Sequence, residues 1–440
     1  MSSQLPNETL SAIFENLSPS ALTTVARASH RFRSVAERIL YASVSIQEAL
    51  PRASPTPTRT HTCASTLLAR PHLADAVRKL SIRWHTDPGP REEYLPAALP
   101  VLRTLNAALR TLRALEQLEL ALGLAGAPLD ARAVLDGCAF PALRVFAFSG
   151  VGRGALSPKL YTAPSAPVAW FLAGTPALEQ LHLLDCYEAI ELPPRALPRL
   201  QLFRGSAPAA ASVLPGRPVR LLGLVGHEFV TERDLGRIAR ASEPVRGLDL
   251  SLMSVTPILL RDISRHLGGA VEVLKVKLAL RHTLHFALSG IVSTPLRFLS
   301  CPLRVSVRPS SPASLAPCAP CPSTPSPRCP PATRRTPHAP APAPAIDTEH
   351  PTQSLLAGLS PVLGAFPALR QLDLSPTSVD GVGRGNALEE SALCTTWARA
   401  CPALRHVVFP SKAEWRRDAR APDLWVVAPA DGPAAVWTRY

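Results

Sequence analysis

A chain of 440 residues, 46% hydrophobic and 18% charged, holds enough apolar material for one small and one large folded domain. Its formal charge of +14 sets 47 basic against 33 acidic residues, yet only five of the basic residues are lysine, the arginines are scattered, and aromatics make up 5%; this is not the pattern of a nucleic-acid surface. The long uncharged stretch Leu160–Leu178 is broken by Pro164, Pro167 and Pro176, and no basic region precedes an apolar core at the start, so neither a membrane span nor a signal peptide is expected.

In chain order, the first pattern is helical. Leu10, Ile13, Phe14 and Leu17 fall at i, i+3, i+4 and i+7, one stripe of an amphipathic helix. Ser18-Pro19 suits a cap and a first turn, and Leu22, Val25 and Ala26 continue the spacing. After Ser29, the run Phe32, Val35, Ala36, Ile39 and Leu40 supplies a third stripe. A unit of about 40 residues usually needs a staple or a partner, and no cysteine precedes Cys63. The first stripe is therefore either a docking face or a surface packed on the domain that follows.

The series Leu5-Pro6-x-Glu8-x-Leu10-x-x-Ile13-Phe14-x-x-Leu17, then Leu22, Val25, Ser29-x-x-Phe32-Arg33 and a closing Leu40-Tyr41, resembles an F-box, and its ending is similar to that of fungal F-box proteins. The tryptophan that many F-boxes carry near the end is absent. The resemblance covers about a tenth of the chain. It implies a three-helix domain over 1–48 that binds the Skp-type adaptor of a cullin-based ubiquitin ligase. Carried over by position, the adaptor face is Leu5, Pro6, Glu8, Leu10, Ile13, Phe14, Leu17, Leu22, Val25 and Phe32.

A polar linker is expected over 49–66. From 67 to 304 one phrase recurs, Pro-Ala-Leu-x-x-Leu-x-Leu or a relative of it, with full copies at Leu112–Leu120, Pro141–Phe148 and Pro176–Leu183 and later ones at Pro367–Leu374 and Pro402–Phe409. Weaker copies start at Val77, Pro198, Pro218, Pro244, Val271 and Leu296. Each ends in period-two alternation, the mark of a half-buried strand. Helical patterns lie between them: Leu102, Leu105 and Leu109; Thr231 to Arg240 behind a Thr-x-x-Asp capping box; and Thr256-Pro257 onward, stopped by Gly268-Gly269. The expected fold is α/β, a small three-helix F-box followed by an irregular leucine-rich-repeat-like solenoid. An ordinary doubly wound domain would also alternate strand and helix, but it does not account for the recurring phrase.

The stretch 305–350 interrupts the repeat. It is rich in proline, contains no aromatic residue, and reads as a disordered insertion, either tolerated as a loop or derived from an unspliced intron. Residues 351–440 hold the final repeats and a cap containing Trp397, Trp415, Trp425 and Trp437.

No catalytic constellation is legible. No lysine follows a glycine as a Walker loop requires, and His227-Glu228 lacks a second histidine at Thr231. His282-x-x-His285 has no carboxylate companion, Cys318, Cys321 and Cys329 lack a fourth ligand, and two Gly-Val-Gly-Arg-Gly loops (150–154, 381–385) are ordinary turn composition. The expectation is a non-catalytic chain with no cofactor and no metal. Nine cysteines without framework spacing suit a reducing compartment, cytoplasmic or nuclear.

The resemblance and the repeats together imply a substrate-recognition adaptor. Its partners would be the Skp-type adaptor with its cullin complex and a protein substrate of unknown identity, with no nucleic acid and no membrane. Glu119, Arg144, His182 and Arg370 are candidates for the substrate side. The alternative is an interaction scaffold that serves no ligase.

Overall fold

The structure, a computed structural model, describes residues 5–127, 129–151, 168–226, 230–278, 356, 358–377, 387–418, 420–421 and 423–428. The copy at Leu296, the 305–350 insertion, His227-Glu228, His282 and His285, Cys318, Cys321 and Cys329, the glycine cluster at 381–385 and Trp437 lie outside those residues, as does most of the cluster at 150–154.

Three helices open the chain: α1 (Asn7–Phe14), α2 (Pro19–Ala28) and α3 (His30–Ala42). Both breaks between them are set by serine. The Ser18 hydroxyl accepts a hydrogen bond from the Ala21 amide at 3.3 Å, and Ser29 accepts one from the Phe32 amide at 3.1 Å. Leu10, Phe14, Leu22, Val35 and Ala36 make a small core of their own, separate from the main one.

The expected linker is not one. α3 runs directly into β1 (Ser43–Leu50), and 49–66 contains the start of α4 (Thr58–Ala69). The cause is Glu48, which points from β1 into the start of α4. Its carboxylate accepts the Arg59 amide at 2.8 Å and the Thr60 amide at 3.2 Å, capping a helix whose own preceding residue, Pro57, provides no side-chain cap. Composition around Pro51 to Pro57 suggests a loop, whereas the capping group lies ten residues away in sequence.

A short α5 (Pro71–Ala74) leads to β2 (Lys79–Thr86), then α6 (Leu95–Leu109) and β3 (Gln117–Ala121). Next come α7 (Arg132–Leu135), β4 (Val145–Ser149), α8 (Ala169–Ala173), β5 (Gln180–Leu183) and, without an intervening helix, β6 (Leu202–Gly205). The pattern continues with α9 (Ala207–Val213), β7 (Leu221–Val225), α10 (Glu232–Ile238), β8 (Gly247–Val255), α11 (Pro257–Leu267) and β9 (Val273–Leu278). It ends with α12 (Ser360–Leu363), β10 (Gln371–Asp373), α13 (Ala387–Ala400), β11 (His406–Val408), β12 (Glu414–Arg417) and β13 (Trp425–Val427).

Among the described residues all thirteen strands form one sheet, in strict chain order. β1 to β11 run parallel, and β12 and β13 turn back antiparallel. A doubly wound sheet reverses its strand order at a switch point; this one never does. Successive helices touch in turn, α9 on α10, α10 on α11, α11 on α12 and α12 on α13, so they form a layer beside the strands. The recurring phrase explains the order. Its leucine or valine, at Leu115, Leu143, Leu178, Leu200, Val219, Val245, Val271, Leu369 and Leu404, is buried just before each strand, and the two strand positions that follow it, such as Leu118 and Leu120, fill the layer between sheet and helices.

β9 pairs directly with β10, Val273 opposite Gln371. α11 ends at Leu267 with Gly268 as its cap, where the Gly268-Gly269 stop places it; Gly268 is not left-handed (φ −61°), and a Cβ there would come 2.6 Å from the Ala365 carbonyl oxygen. The glycine allows α11 to pack against the chain beside α12, a close-approach role rather than a turn.

Candidate functional site

The N-terminal helices were expected to present ten residues to a partner, and the structure divides them. Leu10, Phe14 and Leu22 are buried in the helices' own core, while Leu17, Val25 and Phe32 are half-buried against it. Phe14 and Phe32 meet edge to face, ring centroids 5.6 Å apart, which locks α1 onto α3. Leu5, Pro6, Glu8 and Ile13 remain exposed, Leu5 at 50% and Ile13 at 48%. A stripe read by spacing alone merges residues that hold the unit together with residues left over for a partner. Ile13 sits one residue from Phe14, about 100° around α1, and that turn separates the two roles.

Sequence reasoning missed the residue that orients this face. Arg31, at the start of α3, donates from Nε to the Asn7 side chain at 2.9 Å and from Nη2 to the Leu5 carbonyl. The segment ahead of α1 is thereby tied to α3, and Leu5 and Pro6 are positioned beside the first turn. Glu37, further along α3, lies 3.6 Å from Arg70 and 3.4 Å from His72, joining the helices to the sheet domain at α5. No residue spacing along the sequence marks either link, because each crosses 24 residues or more.

A second candidate surface is the sheet face turned away from the helices. Strand register aligns Ser81, Glu119, Ala147, His182, Arg204, Gly223, Asp249, Lys275 and Asp373 in one row across eight strand pairs. Four of its five charges are paired, while Glu119 accepts hydrogen bonds from Ser81 and Gln117. Arg204 reaches over β7 to Asp249, and Lys275 lies 3.4 Å from Asp373. Gly223 makes the first pair possible, because a Cβ there would meet Arg204 Cγ and Nε at 3.0 Å. Burial, then the Arg204 charge, push the His182 pKa down to about 4, so the ring is neutral near pH 7. Glu119 and His182 thus stand on this face as expected. Arg144 and Arg370 do not: each directly precedes its strand and is exposed at the strand's start, with its carbonyl accepting two amides of the next repeat.

Among the described residues no cluster of histidine, cysteine and carboxylate suited to a metal occurs, and no helix is long and apolar enough to cross a membrane. The described cysteines, Cys63, Cys138, Cys186, Cys394 and Cys401, are free, and burial raises the pKa of each thiol. These groups pack as small apolar side chains.

The first unit is thus a compact helical domain with its own core and an uncovered apolar edge, followed by a long sheet in chain order. The family model described as F-box-like matches residues 2–47, the span of α1 to α3 and the start of β1. The match supports an F-box protein. A domain of this kind points in general to binding of a Skp-type partner, and so to an adaptor role in ubiquitin ligation. No curated protein matches the chain.

Proposed function

We propose that this chain is the substrate-recognition subunit of a Skp–cullin–F-box ubiquitin ligase. The F-box docks the Skp-type adaptor through Leu5, Pro6, Glu8 and Ile13, and the remaining chain, read as an irregular leucine-rich-repeat-like solenoid, selects a protein substrate on its helix-free face. The chain itself performs no chemistry. It acts by proximity, holding substrate lysines near the charged ubiquitin carrier and so raising their effective concentration. The observation that carries the reading is the domain's division of labour: Leu10, Phe14 and Leu22 join Val35 and Ala36 in its core, leaving Leu5 and Ile13 uncovered at a site matched to the F-box-like family.

On the substrate side, the row from Glu119 to Asp373 supports the reading through its extent. Side chains from many strands share one surface, which suits a partner bound by many modest contacts. The experiment is co-elution. The full chain mixed with a purified Skp-type adaptor should migrate as a one-to-one complex on size exclusion. Separate migration at micromolar concentrations would reject the F-box assignment and with it the ligase role.

A further inference from the structure

The middle row of the helix-free face satisfies most of its charges internally, through the Arg204–Asp249 and Lys275–Asp373 pairs. The row two residues earlier on each strand points to the same side of the sheet and has a different character. From β5 to β10 it runs Gln180, Leu202, Leu221, Gly247, Val273 and Gln371. Four adjacent strands therefore present aliphatic side chains or, at Gly247, bare backbone. Among the described residues, Leu202, Leu221 and Val273 belong to neither hydrophobic core.

This apolar strip floors a groove of about 370 Å³, walled by residues that directly precede the strands. The volume lies within the usual range of ligand clefts, about 300–1,000 Å³. Gly247 leaves a dip between Leu221 and Val273, where a side chain from outside can seat.

The walls are charged unevenly. At the β5 end Glu179 is half-buried and has no ion pair among the described residues. At the far end Glu272 lies 3.8 Å from Arg246 and 3.5 Å from Arg370, one carboxylate between two guanidiniums, so one positive charge is left over. Arg220, between the two ends, is neutralised by Glu243, with Nε and Nη2 each 3.2 Å from a carboxylate oxygen. Glu179 and Arg246 stand three strand spacings apart, about 14 Å, the length of roughly four residues of extended chain. At the boundary on β10, Gln371 is buried and its amide nitrogen has no hydrogen-bond partner. A buried donor without an acceptor costs stability, and a carbonyl laid over Val273 would supply one.

We propose that this groove binds an extended segment of the substrate in which a large apolar residue stands between a basic and an acidic one. The basic residue meets Glu179, the apolar side chain lies over Leu221 and Gly247, and the acidic residue lies between Arg246 and Arg370. This rests on the reading of the helix-free face as the substrate surface. It places discrimination between substrates at the strand starts, where groups are left open, rather than in the middle row, where they answer one another.

The test uses the full chain and a phage-displayed library of random dodecapeptides. Enriched sequences should hold a large apolar residue between a basic and an acidic one, and synthetic copies should bind in calorimetry. Leu221→Asp should weaken such a peptide tenfold or more, and Arg246→Gln several-fold, less so at high salt. Both variants should still melt cooperatively and co-elute with a Skp-type adaptor. Selection on Glu179→Lys should replace the basic residue by an acidic one, a change of preference that loss of folding cannot produce. Enriched peptides without this charge order, or an unchanged preference on Glu179→Lys with unchanged affinity for Leu221→Asp, would overturn the proposal. If Glu119→Arg in the middle row weakens the peptides instead, the helix-free face remains the binding surface and the groove alone fails. If no peptide is enriched, or none of these substitutions weakens one, the surface reading fails with it.

Discussion

Replacing Ile13 with aspartate should leave the protein folded and abolish adaptor capture. Ile13 is 48% exposed, so about half of its apolar surface waits to be covered. Burying a whole isoleucine contributes roughly 1.5–3 kcal/mol, so covering that half contributes about 1 kcal/mol. Truncation by Ile13→Ala should therefore weaken capture about fivefold. Ile13→Asp adds the cost of burying a carboxylate in an apolar contact, several kcal/mol, enough to push capture out of the micromolar range. In the free protein the half of Ile13 already covered is lost to the same aspartate, so stability should fall by about 1 kcal/mol, small enough for the fold to persist. Phe14→Ala is the wrong probe. At 5% exposure it would open a cavity costing about 3–5 kcal/mol, more than so small a core tolerates. The assay is calorimetric titration with a Skp-type adaptor, paired with a thermal melt of each variant. A folded Ile13→Asp protein that binds as tightly as the original would refute the division of α1 into an inner and an outer edge.

Glu390 on α13 is buried and accepts hydrogen bonds from the Ser411 hydroxyl and the Trp415 indole, both at 2.7 Å. Glu390→Ala should lower stability by about 1–3 kcal/mol in chemical denaturation by stranding those donors, and adaptor binding should not change. His182, with its pKa lowered to about 4, binds fewer protons folded than unfolded between that value and about 6.5. Its share of stability is complete above that window and falls as the pH drops through it, by up to about 2 kcal/mol at pH 5. His182→Gln should flatten this part of the stability–pH curve, and an unaltered curve would reject the assignment. Deleting 305–350 should leave the melting temperature and adaptor affinity within error, because closure entropy varies only with the logarithm of loop length; a deletion that unfolds the protein would show that the segment packs.

What the sequence determined by itself is what depends on neighbours a few residues apart. The helical stripes of α2 and α3, the serine cap at Ser18, the Thr231 capping box and strands β2 to β11 all follow from local spacing and backbone chemistry, and they appear where the residues placed them. The F-box-like match over 2–47 agrees with a pattern legible in the first 41 residues. Tertiary structure decided the rest, because the deciding contacts join residues far apart in the chain. Whether Phe14 or Ile13 faces inward depends on where Phe32 packs, and the helix inside the supposed linker depends on a carboxylate at Glu48. The pairing of β9 with β10, whose paired residues lie nearly a hundred positions apart, is likewise given by hydrogen-bonding partners and not by spacing. Arg144 and Arg370 directly follow the phrase leucine, three positions ahead of the place that Glu119 and His182 hold, and so lie before their strands, where the pleat no longer assigns a side chain to a face.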